Sequence, residues 1–190
     1  MNSHQPVEDK TLLDKFVEEV ASVLEKHCKY IVVSGFVAIA HGRSRGTEDI
    51  DVIIERVDKE TFREIHKDLE GAGFECIQNA APERLYDDYL AENSSIRYVK
   101  KGTFVPELEL MLAKDRLDED QLENRKKLPL TGLDVYFSSI ETNIAFKEEL
   151  LKSDKDLEDA RHLRTVYSSE IDEGEIDRIK KLIRALRLKR

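Results

Sequence analysis

The chain has 190 residues, 40 % of them hydrophobic and 37 % charged, with a formal net charge of −9. That suits one packed domain, or a core with a helical extension, beneath a heavily charged surface. No apolar run is long enough to cross a bilayer, Met1 to Lys10 has no apolar signal-peptide core, and the negative balance argues against a broad nucleic-acid surface, which depends on neutralising many phosphates. The protein is expected to be cytoplasmic, with no membrane partner.

Leu12, Leu13, Phe16, Val17, Val20, Val23 and Leu24 recur at helical spacing and predict an amphipathic helix over about 11–28. Tyr30 to Val33 is apolar and β-branched, a strand ended by Gly35. A short helix over about 36–41 then stops at Gly42. The next strand is Asp49 to Ile54, with Ile50, Val52 and Ile54 on one side and Asp49, Asp51 and Ile53 on the other. A helix over about 59–69 leads through the Gly71–Gly73 break to a strand near 74–77. Ser95 to Lys100 and Val105 to Leu112 read as two strands joined by a turn at Lys101–Gly102. Residues 118–126 read as a helix and Leu133 to Phe137 as a short strand. From Ile140 onward only helices are expected, over about 139–151, 154–167 and 172–188. The pattern predicts an α/β (α+β) chain: a small mixed, twisted sheet with helices on one face over 1–137, then a helical part over 138–190.

Cys28 and Cys76 have no metal-ligand spacing and are expected to be reduced, partly buried thiols. Arg125, Lys126 and Lys127 form one basic group; Lys180, Lys181, Arg184, Arg187, Lys189 and Arg190 form another. Both read first as solvated faces, with a local patch for RNA or an acidic partner as the alternative. His41 reads as a capping or packing residue, and His27, His66 and His162 as ordinary surface or half-buried residues. Phe36, Tyr86, Tyr89 and Tyr98 read as core or hairpin aromatics before base-stacking ones.

The informative stretch runs from Ser34 to Asp51. A strand ends in two small residues, Ser34 and Gly35, and a helix begins. Small side chains let backbone N–H groups approach a phosphate, and a helix N-terminus favours the negative charge. A loop carrying Arg43 and Arg45 follows, and arginine suits planar, bidentate phosphate contacts. The next strand carries Asp49 and Asp51, two residues apart and therefore on one face. Neighbouring carboxylates resist joint ionisation unless a cation sits between them, and hard oxygen donors suit Mg²⁺ or Mn²⁺. Phosphate turn, arginine loop and Asp-x-Asp strand in that order point to metal-assisted attack on a nucleotide phosphate.

Ser34, Gly35, Ala38, His41, Gly42, Arg45, Thr47, Asp49 and Asp51 resemble the signature of the minimal nucleotidyltransferases of the DNA-polymerase-β superfamily, especially the AbiEii-like toxin group. Ser34-Gly35 departs from the glycine pair or Gly-Ser usual there. The resemblance implies that Asp49 and Asp51 hold the metal and that Ser34, Gly35, Arg45 and Thr47 contact the nucleoside triphosphate. It also implies a third carboxylate on a later neighbouring strand. Glu107 and Glu109 are the candidates, and Glu109 is favoured as catalytic and metal-binding because apolar residues follow it. Phe146-Lys147 and Lys155-Asp156-Leu157-Glu158-Asp159 resemble a further AbiEii-like motif pair, in which Lys147 reaches the triphosphate and Asp159 supports the site. The alternative for Lys147 and Lys155 is surface ion pairing with nearby glutamates.

The expected activity is metal-dependent transfer of a nucleoside monophosphate from an NTP to a hydroxyl, with the site at the sheet edge in the cleft between the two parts. The resemblance leaves the acceptor open among RNA such as a tRNA end, a protein hydroxyl and a small molecule, and it allows a toxin role with an antitoxin-like partner. The alternative is a non-catalytic nucleotide- or partner-binding module on the same fold, favoured if Glu107 and Glu109 point away from the aspartates.

Overall fold

The computed structural model describes residues 10–188. Met1 to Asp9, read above as lacking a signal core, and Lys189 and Arg190 of the second basic group lie outside the described residues. Seven strands form one mixed sheet: β1 Tyr30–Val33, β2 Asp49–Ile54, β3 Phe74–Cys76, β4 Ile96–Lys100, β5 Glu107–Leu112, β6 Lys126–Lys127 and β7 Tyr136–Phe137, in the order β3-β4-β5-β2-β1-β7-β6. Central β2 runs antiparallel to β1 and parallel to β5. Alternation along β2 and β5 makes one face of the sheet apolar. Ile50, Val52, Ile54, Leu108, Leu110 and Leu112 share the main core with helix α1 (Leu12–Leu24) and helix α3 (Lys59–Gly71). Thr11 and Asp14 close a reciprocal capping box at the start of α1, and Asp58 caps α3.

The opposite face is not bare, as helices on one face alone would leave it. Leu122 of helix α5 (Arg116–Glu123) packs with Ile31 and Ala113, joined by Val33 and Ile53, into a second apolar cluster. Two elements lie beyond the sequence pattern. Helix α4 (Pro82–Leu85), with Pro at its first turn, continues as a π-helical turn, Tyr86–Leu90. Strand β6 sits where a helix is expected to continue: α5 ends at Glu123, and Arg125 and Lys127 lie 4.6 and 4.8 Å from the Tyr136 ring centroid. Cation–π attraction there fixes a two-residue strand that carries no hydrophobic alternation.

After β7 come helix α6 (Ile140–Phe146), widening into a π-helical turn at Lys147–Leu151, helix α7 (Asp154–Val166), and helix α8 (Glu173–Ile183), which ends in another π-helical turn, Arg184–Leu188. Lys181 of the second basic group is exposed, but three other residues of that group meet acids. Lys180 reaches Glu148 at 2.6 Å, Arg184 reaches Glu149 at 3.2 Å, and Arg187 forks onto Asp115 and Asp118 at 3.0 and 2.7 Å. Their spacing turns them toward acids of α5 and the π-helical turn after α6, which dock the helix. Tyr98 is buried, and His66 is buried rather than half-exposed, because its Nδ1 meets the Tyr98 hydroxyl at 2.8 Å within the core.

Short helix α2 (Gly35–Ala40) follows β1 and is held against α7 by His41. The His41 Nδ1 lies 2.6 Å from the Val37 carbonyl, its Nε2 lies 2.8 Å from the Tyr167 hydroxyl, and the His162 Nε2 lies 2.8 Å from the His41 carbonyl. A ring whose Nδ1 donates to Val37 and whose Nε2 accepts from Tyr167 is neutral, in keeping with burial lowering the His41 pKa. Tyr167→Phe is expected to cost about 1–3 kcal/mol in chemical denaturation at pH 7.5, because it strands a buried acceptor; a cost near zero would remove this contact as the anchor of α7. The sign for pH follows. The folded state binds the His41 proton less readily than the unfolded chain, so the stability this group contributes is present above the ordinary value of 6.5 and declines as pH falls below it.

Candidate active site

The two expected aspartates do face the same way. Along β2 the side chains alternate, with Ile50 and Val52 buried in the main core and Asp49 and Asp51 on the opposite face. The parallel register with β5 pairs Asp49 with Glu107 and Asp51 with Glu109. Paired residues in a sheet share a face, so four carboxylates form a two-by-two block. Burial raises the Asp51 pKa to about 6; the Ser34 hydroxyl opposes the shift, while Glu109 and Asp49 add to it. Across β5, Arg97 of β4 is the register partner of Glu109 and lies 2.8 Å from it, with Glu107 at 3.9 Å. Among the described residues, no three His, Cys, Asp or Glu side chains are already gathered as a metal-ligand set. The donors are nonetheless chemically right for a hard divalent cation: Asp49, Asp51 and Glu109 offer only carboxylate oxygens on one face.

Ser34 ends β1 opposite the acids, because Val33 is the register partner of Asp51. Its backbone has φ 66° and ψ −137°, a region natural to glycine and worth about 1–3 kcal/mol of strain for other residues. Here lies the physical meaning of the departure at this position: serine is forced into a glycine's conformation. Gly35 is needed for a different reason. A Cβ there would lie 3.1–3.2 Å from the Arg45 guanidinium, which is seated directly on the turn. The Thr47 hydroxyl donates to the Asp49 carbonyl at 3.1 Å and so steadies the entry to β2.

Lys147 is not in a surface ion pair. It is 1 % exposed, at the start of the π-helical turn, and its ammonium donates to the fully buried Asp159 at 2.8 Å, with Asp156 at 3.7 Å. Arg45 donates to the same Asp159 oxygen at 2.5 Å, and Arg43 pairs with the other oxygen and with Glu158. One carboxylate thus gathers three cations beside the turn. Burial lowers the Lys147 pKa to about 8; Asp156 resists the shift, and Arg45 and Arg43 assist it. Lys155 stays exposed, and only its carbonyl takes part, accepting from Arg43 at 3.1 Å.

Ser34, Asp51 and Lys147 open onto a single cavity of about 220 Å³. Its walls are Ile53, Met111 and Leu112 from the sheet and Phe146 and Leu150 from α6 and its π-helical turn, with Asp118, Gln121 and Asn143 among its polar lining. The sequence did not single out Arg97, Gln121 or Asn143. Arg97 has a signal only after the fact: buried Ile96 and Tyr98 flank it, so it must face the acids once the β4–β5 register is known.

No protein-family model matches the chain, and no curated protein matches it. Solved structures do. The solution structure of the antibiotic-resistance factor ANT(2'')-Ia aligns with TM-score 0.55 and 13 % identity over 91 % of each chain. The crystal structure of ANT(2'')-Ia in complex with adenylyl-2''-tobramycin aligns with TM-score 0.54 and 16 % identity, over 92 % of this chain and 98 % of that one. The fold is that of a nucleotidyltransferase. The nucleotidyltransferase fold accounts for the mixed sheet flanked by helices; the AbiEii-like group is not among these neighbours. Among the described residues, no helix is long and apolar enough to cross a membrane.

The raised Asp51 carboxyl has a measurable consequence. Its folded pKa of about 6 exceeds the ordinary 3.8, so ionising it destabilises the cation-free protein progressively as pH rises from about 4 to 6. Asp51→Asn is therefore expected to stabilise that form by about 1–3 kcal/mol at pH 7.5, with the gain fading toward pH 4. Denaturant midpoints that respond to neither the substitution nor pH would contradict the proximity of the acids.

Proposed function

We propose that this protein transfers a nucleoside monophosphate from an NTP to a hydroxyl of a small-molecule acceptor. The observation that carries the reading is the register of β2 with β5. It sets Glu109 beside Asp51 on the face that Ser34 and Lys147 border, where an acid pointing elsewhere would have favoured a binding module. Asp49, Asp51 and Glu109 would hold a divalent cation, Mg²⁺ or Mn²⁺, which when bound supplies charge neutralisation at the reacting phosphate. Arg45 and Lys147 hold the triphosphate at the Ser34–Gly35 turn, and their positions around Asp159 support the AbiEii-like reading of the motif pair. The cavity supports a nucleoside lying between Met111 and Phe146. The acceptor oxygen forms a bond to the α-phosphorus, the bond from that phosphorus to the bridging oxygen of the β-phosphate breaks, and pyrophosphate leaves. The acceptor's hydroxyl proton passes to Glu109, and positioning with fixed charge supplies most of the rate.

A small-molecule acceptor is preferred because the neighbour ANT(2'')-Ia was captured with adenylyl-2''-tobramycin. Incubation with each labelled NTP, Mn²⁺ or Mg²⁺, and separate pools of aminoglycosides, tRNA and lysate proteins is expected to label the small-molecule pool. Label on tRNA or protein would reassign the acceptor, and no label that disappears in Asp51→Asn would remove the enzymatic reading. Binding of NTP with Mn²⁺ is expected to be strongest between about pH 6 and 8. Below about 6 Asp51 takes up a proton and loses the cation; above about 8 Lys147 loses its proton and its hold on phosphate. Lys147→Arg should extend binding to higher pH, and a wild-type profile flat through pH 9 would exclude Lys147 as a phosphate contact.

A further inference from the structure

Glu109 is not free on the acid face. Arg97, its partner on β4, sets its Nη2 2.8 Å from one Glu109 oxygen and its Nη1 3.9 Å from Glu107, so one guanidinium spans both β5 acids of the four-carboxylate block. The arginine side chain is half exposed, at 50 %, while Glu109 and Glu107 are 20 % and 24 % exposed. Its two flanking residues, Ile96 and Tyr98, are fully buried, so the β4 backbone fixes which way Arg97 points. The cluster at Asp159 lies on the other flank of the acids, beside the phosphate turn, where Arg45, Arg43 and Lys147 are already committed to Asp159. Arg97 therefore neutralises the β5 side of the block without help from those three.

We propose that Arg97 is a built-in counter-cation that competes with the divalent metal for Glu109, so that loading the site requires Glu109 to exchange the guanidinium for the metal ion. The inference rests on the nucleotidyltransferase reading of the acid block. It follows from charge and geometry together. Four adjacent carboxylates repel one another, and a fixed positive charge in contact with two of them lowers the negative potential that draws a dication in. The exposed guanidinium can swing away into water at little cost, because a solvent-exposed ion pair contributes about 0–1 kcal/mol. Arg97 thereby sets the metal concentration at which the site becomes competent, and it leaves the acids compensated when no metal is present.

Calorimetric titration of Mn²⁺ alone into the full chain at pH 7.5 tests this without turnover. Arg97→Gln is expected to bind Mn²⁺ about tenfold more tightly than wild type, the scale of one partly screened unit charge acting on a nearby dication. Arg97→Lys, which keeps the charge, should stay within about threefold of wild type, and Arg97→Gln with Glu109→Gln should lose the gain. Unchanged or weaker Mn²⁺ binding in Arg97→Gln would overturn the inference, as would a gain that survives Glu109→Gln. If Asp51→Asn abolishes Mn²⁺ binding while Arg97→Gln leaves it alone, only this inference fails. If neither wild type nor any variant binds Mn²⁺, the metal site and this inference fail together. Matching melting curves for the Arg97 variants and wild type exclude misfolding as the cause.

Discussion

A carboxylate sealed from solvent cannot stay charged without partners, and Asp159 has three. Burial of an isolated charge is so costly that the surroundings must supply opposite charge or the group must neutralise. Here the partners come from separate places in the chain. Arg43 and Arg45 lie in the loop between α2 and β2, Lys147 begins the π-helical turn after α6, and Asp159 itself sits on α7. Meeting the charge of one acid therefore fixes where the arginine loop lies, how the C-terminal helices approach the sheet, and where positive charge gathers. Arg43 and Lys147 also meet Glu158 and Asp156, whereas Arg45 pairs with Asp159 alone and is seated on the Ser34–Gly35 turn, where a polyphosphate is the kind of ligand it would meet. The His41 contacts with Val37 and Tyr167 brace the same α2–α7 junction from within the core.

The acid side of the site obeys a different constraint. Side chains of a strand alternate, so the apolar residues that bury β2 in the main core also dictate that Asp49 and Asp51 share the opposite face. Parallel pairing with β5 then adds Glu107 and Glu109 with no further requirement. Repulsion within this block and burial of Asp51 act in the same direction, raising its pKa to about 6, and the Ser34 hydroxyl only partly offsets them. Lys147 on the helix side and Asp51 on the sheet side meet at one cavity, whose walls are mostly apolar.

Much of this was legible in the residues, for identifiable reasons. Strands β1 and β2 were found because period-two alternation and β-branching are local signals, and the Asp-x-Asp face follows from that alternation alone. The third acid could be narrowed to Glu107 and Glu109, with Glu109 favoured by the family resemblance alone, since both lie on the same face and only the register distinguishes the neighbour of Asp51. The docking role of Arg184 and Arg187 was hidden, because a basic helix face looks the same in sequence whether it meets water or the acids of another helix. Strand β6 was hidden because a ring across the sheet holds it, not a local pattern. Burial of His66 against Tyr98 joins residues 32 apart that no spacing links, and the motif pair that put Lys147 and Asp159 at one site carried no sign of their mutual ion pair.

The close seating of Arg45 on Gly35 also divides the glycines into unequal classes of replaceability. Gly46 and Gly71 face open space with ordinary backbone angles, so a Cβ at either would meet nothing within 4 Å. At Gly35 a single methyl group would press on the guanidinium at 3.1 Å, so the arginine that pairs with Asp159 would have to give way by a few tenths of an ångström. Variation at Gly35 would therefore reach the site through a residue that has no functional group at all, with its cause lying ten residues further along the chain.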